Sequence, residues 1–172
     1  PIGKSRGTGM FAAGGVSSSI GRAFLLVGII GSLFGALASI SSARSRDRTV
    51  ARLIPRFAIL IFAAAIGAFA TMEYAMITRD FSMAYVQKVG STATPALYNF
   101  AAVWSALEGS LLMWVLILAG YTVAVCFWMR KRLSESLAAL AMAVMMIVLA
   151  FFLLVSFFTA NTFAAGAPGV LD

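Results

Sequence analysis

Four long apolar runs, separated by short polar stretches, dominate the hydrophobic pattern of the chain. Spanning about 30 Å of hydrocarbon takes about 20 residues of α-helix, and each run meets that length. The pattern therefore predicts an all-α membrane protein with four transmembrane helices. Their expected bounds are 23–43, 57–77, 110–129 and 137–160.

The loop between the second and third runs is the longest of the three and is not uniformly polar. Its stretch 95–108 has helical character, and Pro95 suits the first turn of a helix. A helix that continued from there through the third run would be about 50 Å long, which exceeds the bilayer. We therefore expect a short extracytoplasmic interfacial helix, anchored by Tyr98 and Trp104, that breaks at Gly109–Ser110.

Basic residues are concentrated in the first and third loops, and this sets the expected orientation. By the positive-inside rule these two loops face the cytoplasm, while the second loop and both termini are extracytoplasmic. The expected divisions are an N-terminal tail over 1–22, a four-span membrane domain over 23–163 and a C-terminal tail over 164–172. The basic residues are Arg44, Arg46, Arg48, Arg52 and Arg56 in loop one, Arg79 and Lys88 in loop two, and Arg130, Lys131 and Arg132 in loop three.

The composition agrees with a membrane location. The residues AVILMFWYC make up 62% of the chain and charged residues 11%, against about 45–50% and about 25% in soluble domains. The net charge of +7 comes from basic blocks between apolar runs, which is typical of topology determinants, so no nucleic-acid partner is expected. The chain has no His, and its one Cys is Cys126, so neither an internal disulfide nor a metal site is expected.

Small residues recur at three- and four-residue spacings in the first two runs. Such spacings let membrane helices approach closely, so packing within the bundle is their expected role. The residues are Gly28, Gly31 and Gly35 in the first run and Ala63, Gly67 and Ala70 in the second.

Two carboxylates are candidates for function. Glu73 is the only acidic residue within a predicted span, where it either extends to the interface or pairs with a cation, or else serves as a functional intramembrane carboxylate. Glu108 lies where the third span begins, where it either caps that helix or faces an extracytoplasmic ligand chamber. The candidate extracytoplasmic face comprises Trp104, Glu108, Gly109, Ser110 and Trp114.

Two stretches of sequence carry motifs that are more specific than apolar runs and basic loops, which many membrane proteins share. One runs from Arg79 to Val125 and includes EGSLLMW, and the other is FFLLVSFFTANTF, which ends at Phe163. Both resemble the N-terminal part of the CcmF family, the large membrane subunits of the cytochrome c maturation heme lyase. The positions in the first stretch that match the family pattern are Asp80, Phe81, Tyr85, Val86, Ser91, Pro95, Tyr98, Ala102, Trp104, Glu108, Gly109, Ser110, Leu111, Leu112 and Trp114.

The resemblance implies a membrane scaffold module of a heme lyase, which attaches heme covalently during cytochrome c biogenesis. The family's heme-handling parts lie downstream of this region, so the chain is expected to have no complete active site and to bind no cofactor alone. Heme is implied for the assembled complex. The implied partners are the lipid bilayer, membrane subunits with heme-ligating His and a Trp-rich segment, apocytochrome c and a heme chaperone. The implied location is the bacterial cytoplasmic membrane or the mitochondrial inner membrane.

The sequence departs from the family at Leu107, where many members have His, and at Asn99, where Arg is usual. It ends at Asp172, about where the family continues toward its first His-Pro-Pro segment, so we expect a split or truncated lyase component. The alternative is an accessory structural subunit of a respiratory or photosynthetic complex derived from that family. A small transporter ranks last, because Glu73 is the only charge within a predicted span.

Overall fold

The computed structural model describes residues 16–78, 84, 86 and 107–164. Among these residues, four helices are long and apolar enough to cross a membrane, judged by length and composition. This confirms the prediction of an all-α membrane protein with four spans. The elements are α1 (Val16–Ser45), α2 (Arg48–Ala51), α3 (Ile54–Ile77), α4 (Leu107–Trp128), α5 (Ser136–Leu154) and a π-helical turn (Val155–Thr159).

The long helices form a bundle in which α1 packs along both α3 and α5. Helix α4 completes the bundle against α3 and, less extensively, against α5. Glycines on α1 set the close approach, because a Cβ atom at Gly28 would lie 3.2 Å from Leu153 on α5. At Gly31 it would lie 3.2 Å from Ile61 on α3, and at Gly35 it would lie 2.5 Å from Met146 Sδ.

The predicted packing role of the small residues therefore holds on α1 but only partly on α3. Gly67 lies under the ring of Phe24 on α1, where a Cβ atom would be 2.5 Å away. Ala63 and Ala70 are exposed on the bundle surface, so their predicted role in packing was wrong. The buried small residues of α3 are instead Ala58, Ala64, Ala65, Ala68 and Ala75.

The bundle has two distinct ends. At the first, which we call the motif end, lie the start of α1, the end of α3, the start of α4 and residues 155–164. At the second, the basic end, lie α2 and the loop that joins α4 to α5. Trp114 and Trp128 are 57% and 86% exposed on α4 and lie about 21 Å apart along its axis.

All four long helices begin earlier than the apolar pattern predicts, by one residue for α5 and by three or more for the others. Helix α1 starts at Val16 rather than residue 23, because its polar first turns pack against residues near Phe163, to which Ser18 donates a hydrogen bond. Helix α3 starts at Ile54 with Pro55 in its first turn, a position that needs no backbone donor. The first loop is itself folded into α2, which Asp47 caps by accepting a hydrogen bond from Thr49 N at 2.7 Å.

Candidate functional site

The motif end is closed by contacts between the start of α1 and the residues after the π-helical turn. Ser18 Oγ donates to the carbonyl oxygen of Phe163 at 2.6 Å, and Arg22 Nε donates to the same oxygen at 3.1 Å. Arg22 Nη2 also donates to Asn161 Oδ1 at 3.3 Å. The ring of Phe163 is fully buried against Gly21, where a Cβ atom would overlap it. The last residue of the second family-like stretch is thus fixed onto α1.

A tight reversal of the chain brings Phe163 to that position. Ala160 N donates to Val155 O at 2.9 Å, which widens the end of α5 into the π-helical turn. Thr162 then donates through both N and Oγ1 to Ser156 O, at 3.1 and 2.9 Å. Asn161 has φ of +43°, a left-handed conformation that Asn adopts more readily than most residues. π-Helical turns of this kind are frequent at functional sites.

One part of the long loop between α3 and α4 contacts the segment that follows Phe163. Ala84 N donates to Ala164 O at 3.0 Å, and Val86, one of the family-matching positions, is completely buried. Trp104 and residues 95–106 of the predicted interfacial helix lie outside the described residues, whereas Leu107 and Glu108 belong to α4.

Glu73 lies one turn from the end of α3 with its side chain 8% exposed. Neither of its carboxylate oxygens has a hydrogen-bond partner among the described residues. Glu73 therefore does not extend to the surface of the described bundle, and its pairing with a cation outside the described residues stays a prediction. Its position on the face of α3 that packs inside the bundle keeps it from reaching out. An ionisable group held there is costly, which favours the functional interpretation.

The start of α4 carries Glu108, Gly109 and Ser110 in one unbroken helix. The predicted break at Gly109–Ser110 was wrong, because α4 runs without interruption from Leu107 through the buried Gly109. Glu108 and Ser110, on either side of it, are half-buried. Glu108 lies in the first described turn, as the helix dipole favours for a carboxylate near an N-terminus.

Glu73 and Gly109 lie at about the same depth in the bundle. Gly120 of α4 faces Phe62 of α3, since a Cβ atom at Gly120 would lie 3.6 Å from the Phe62 ring. Glu73 follows Phe62 by 73 − 62 = 11 residues, and Gly109 precedes Gly120 by 120 − 109 = 11. Because the two helices are antiparallel and rise equally per residue, these steps bring Glu73 level with Gly109. Trp114, in contrast, faces away from the bundle.

The closure by Ser18, Arg22 and Phe163 was not predicted. Arg22 was assigned to the N-terminal tail because it precedes the first apolar run. The available indication was the family-like stretch that ends at Phe163. A motif that ends on a large aromatic residue just after an apolar run suggests a tertiary anchor, but its partner on α1 lies more than 140 residues away in sequence.

The side chains that the structure describes form no evident ligand set for heme iron. There is no His among the 172 residues. Cys126 is completely buried in the core, and Met142 and Met146 are buried as packing residues, with Met146 Sδ 3.9 Å from Ser39 Oγ. The described residues contain no group of three or more His, Cys, Asp or Glu side chains that could hold a metal ion. Among the described residues, none is placed as an axial ligand of heme iron.

Comparisons with known proteins agree on one family. No protein-family model matches the chain. The cytochrome c-type biogenesis protein CcmF of Escherichia coli strain K12 is 39% identical over 112 residues, which cover 65% of this chain and 17% of that protein. CcmF of Pseudomonas fluorescens is 43% identical over 115 residues, which cover 67% and 16%. A solved structure of the cytochrome c heme lyase CcmF matches with a TM-score of 0.80 at 28% identity and covers 92% of this chain and 26% of that one.

The fold and the apolar helices define a polytopic α-helical membrane protein. Its four-span unit is a CcmF-family region and corresponds to the N-terminal part of those proteins, which confirms the resemblance seen in the sequence. The chain spans about a sixth of the length of the curated relatives it matches and about a quarter of the solved chain.

Proposed function

We propose that this chain is the membrane scaffold module of a cytochrome c heme lyase. The observation that carries the proposal is the convergence at the motif end, where Phe163 is anchored on α1 and Glu73 lies level with Gly109. Residues of both family-like stretches therefore meet at one end of the bundle. The names of the relatives, cytochrome c-type biogenesis protein and cytochrome c heme lyase, support the same role.

The module acts by positioning rather than by ligating iron. The long loop joins the end of α3 to the start of α4, and its backbone contacts Ala164, after the π-helical turn, through Ala84. That loop, which includes Trp104, and the half-buried Glu108 and Ser110 at the start of α4 are then presented to whatever binds at the motif end. Gly109 is buried between them, and Trp114 lies on the outer surface of α4. Heme iron chemistry belongs to residues outside this chain's described part.

The heme ligands come from a subunit, or from a further part of the same protein, that carries His and a Trp-rich segment. Apocytochrome c and a heme chaperone are the other partners of the assembly. The motif end and both termini face the extracytoplasmic side of a bacterial cytoplasmic membrane or a mitochondrial inner membrane. The basic loops support this orientation.

Gene deletion in the source organism tests the role directly. We expect the deletion to remove covalently bound heme from c-type cytochromes, measured by heme staining of denaturing gels, and the wild-type gene to restore it. Normal c-type cytochromes together with loss of another respiratory or photosynthetic complex would contradict the proposal and would select the accessory structural subunit instead.

Purification of the tagged chain provides a second measurement. From wild-type membranes we expect it to bring down a His-bearing, Trp-rich membrane partner and heme, measured by mass spectrometry and the pyridine hemochrome spectrum. Expressed alone, the chain should carry no stoichiometric heme. Stoichiometric heme on the isolated chain would exclude a pure scaffold role.

A further inference from the structure

A cavity of about 410 Å³ opens at the basic end, between α2, the start of α3 and the loop joining α4 to α5. Four cationic side chains line it, two from each of the loops that connect the spans on this side. The cationic residues are Arg48, Arg52, Arg130 and Lys131, and the other lining residues are Ala51, Pro55, Leu133 and Ser134.

The positive charge of this cavity has no carboxylate in its lining to balance it. The acidic residues of the same two loops have other positions: Asp47 caps α2 through Thr49 N at 2.7 Å, and Glu135 is exposed next to the first residue of α5. Cationic side chains that converge without a counter-charge raise the local positive potential and attract anions.

The two basic loops are fixed relative to each other through the end of α1. Ser42 Oγ donates to Leu133 O at 3.0 Å, and Ser136 Oγ donates to Ala43 O at 2.9 Å. The side chain of Leu133 is 3% exposed and anchors its loop in the bundle. Topology requires only that basic residues be present in these loops, whereas these contacts build a defined cavity from them. Such preorganisation lowers the entropic cost of binding a ligand.

Apolar surface adjoins the basic lining. A second cavity of about 660 Å³ shares Arg130 and Lys131 with the first and is otherwise lined by Phe127, Trp128, Met129 and Arg132. Phe127 and Trp128 are 47% and 86% exposed at the end of α4. A cationic recess next to exposed aromatic surface at the end of a membrane helix suits a ligand with an anionic head and an apolar tail.

We propose that the basic cavity binds the phosphodiester headgroup of an anionic phospholipid, whose acyl chains run along Phe127 and Trp128. A free phosphate ion shares the headgroup chemistry but would gain nothing from the aromatic surface. The site is at the opposite end of the bundle from the proposed lyase face, so it does not depend on that function.

The test uses the purified full chain in detergent, with native mass spectrometry and thermal unfolding as readouts. The ligands are phosphatidylglycerol, phosphatidylcholine and inorganic phosphate, each added separately. We expect phosphatidylglycerol to remain bound and to raise the melting temperature, with little effect of the other two. Equal stabilisation by inorganic phosphate, or equal retention of phosphatidylcholine, would overturn the proposal.

A matched pair of double variants distinguishes the cavity from general surface charge. Arg52→Gln with Lys131→Gln removes two charges from the cavity, and Arg44→Gln with Arg56→Gln removes two exposed charges from the same end that do not line it. We expect the cavity variant to bind phosphatidylglycerol about 10-fold more weakly and the control to bind as the wild type does. Equal weakening in both would overturn the site. If the cavity variant loses helical circular dichroism, Arg130→Gln is compared with Arg44→Gln instead, with the same criteria.

Discussion

At the scale of single residues, Glu73 has the costliest environment of the described acidic side chains. Its two oxygens are buried without a described hydrogen-bond partner, among apolar neighbours on α3. A buried charge without a partner destabilises a fold, and in membrane helices such a residue usually marks a functional position. Stability and function should therefore respond in opposite directions when the charge is removed.

Glu73→Gln tests this expectation, because Gln keeps the size and shape of the side chain. We expect its melting temperature in detergent to rise by about 2–4 °C, which corresponds to about 1 kcal/mol for a chain of this size. We expect the yield of c-type cytochromes in the complemented deletion strain to fall. The exposed Glu135→Gln should change neither quantity. A lower melting temperature for Glu73→Gln would show that the charge is stabilised by a group outside the described residues.

Gly35 provides a second test, because it sets the distance between α1 and its neighbours. A Cβ atom there would lie 2.5 Å from Met146 Sδ and 3.0 Å from Phe57 Cβ, so Gly35→Ala requires Met146 to repack and crowds α1 against α3. We expect a loss of about 1–3 kcal/mol of stability, measured by thermal or denaturant unfolding in detergent.

Gly120→Ala is the matched control for that substitution. Its added Cβ atom would meet only Phe62 at 3.6 Å, an ordinary contact, and Ala favours the helix over Gly. We expect unchanged or slightly higher stability. A similar loss at both glycines would mean that helix distance at Gly35 is not the cause.

At the scale of elements, the apolar runs alone identified the four long helices, because a membrane span needs a fixed length of apolar residues. Their ends were predicted less well, since contacts distant in sequence decide them. Ser18 and Arg22 extend α1 by bonding to Phe163, and α4 continues through the buried Gly109 where a break was expected. Glu73 was identified as a candidate from its rarity, but its burial follows from the packing of α3, which the sequence pattern does not specify.

The reversal at Asn161 is the element on which the motif end depends. Asn161→Val should destabilise it, because a β-branched residue is disfavoured at φ of +43° and cannot accept a hydrogen bond from Arg22. We expect a loss of about 1–3 kcal/mol in thermal unfolding and faster proteolysis near residue 161. Asn161→Gly keeps the backbone conformation and loses only the contact with Arg22. If both variants lose the same stability, the backbone conformation is not the reason.

At the scale of the whole molecule, the two ends of the bundle have different chemistry. The motif end contains a buried carboxylate and hydrogen-bonded closures, whereas the basic end contains the arginine-rich loops and the proposed lipid cavity. The family match supports the role proposed for the motif end. The placement of basic residues supports the orientation proposed for both ends of the bundle. A scaffold in which one end faces an extracytoplasmic assembly and the other faces anionic lipid needs a fixed topology.

That topology predicts the behaviour of reporters inserted into the full chain. Loops one and three carry eight basic residues against two in loop two, so the positive-inside rule retains the basic end in the cytoplasm. A green fluorescent protein inserted after Ser134 should fluoresce, and alkaline phosphatase fused after Asp172 should be active. Exchanging the two reporters should abolish both activities, which controls for expression. The opposite pattern would place the motif end in the cytoplasm, where the proposed extracytoplasmic assembly could not reach it.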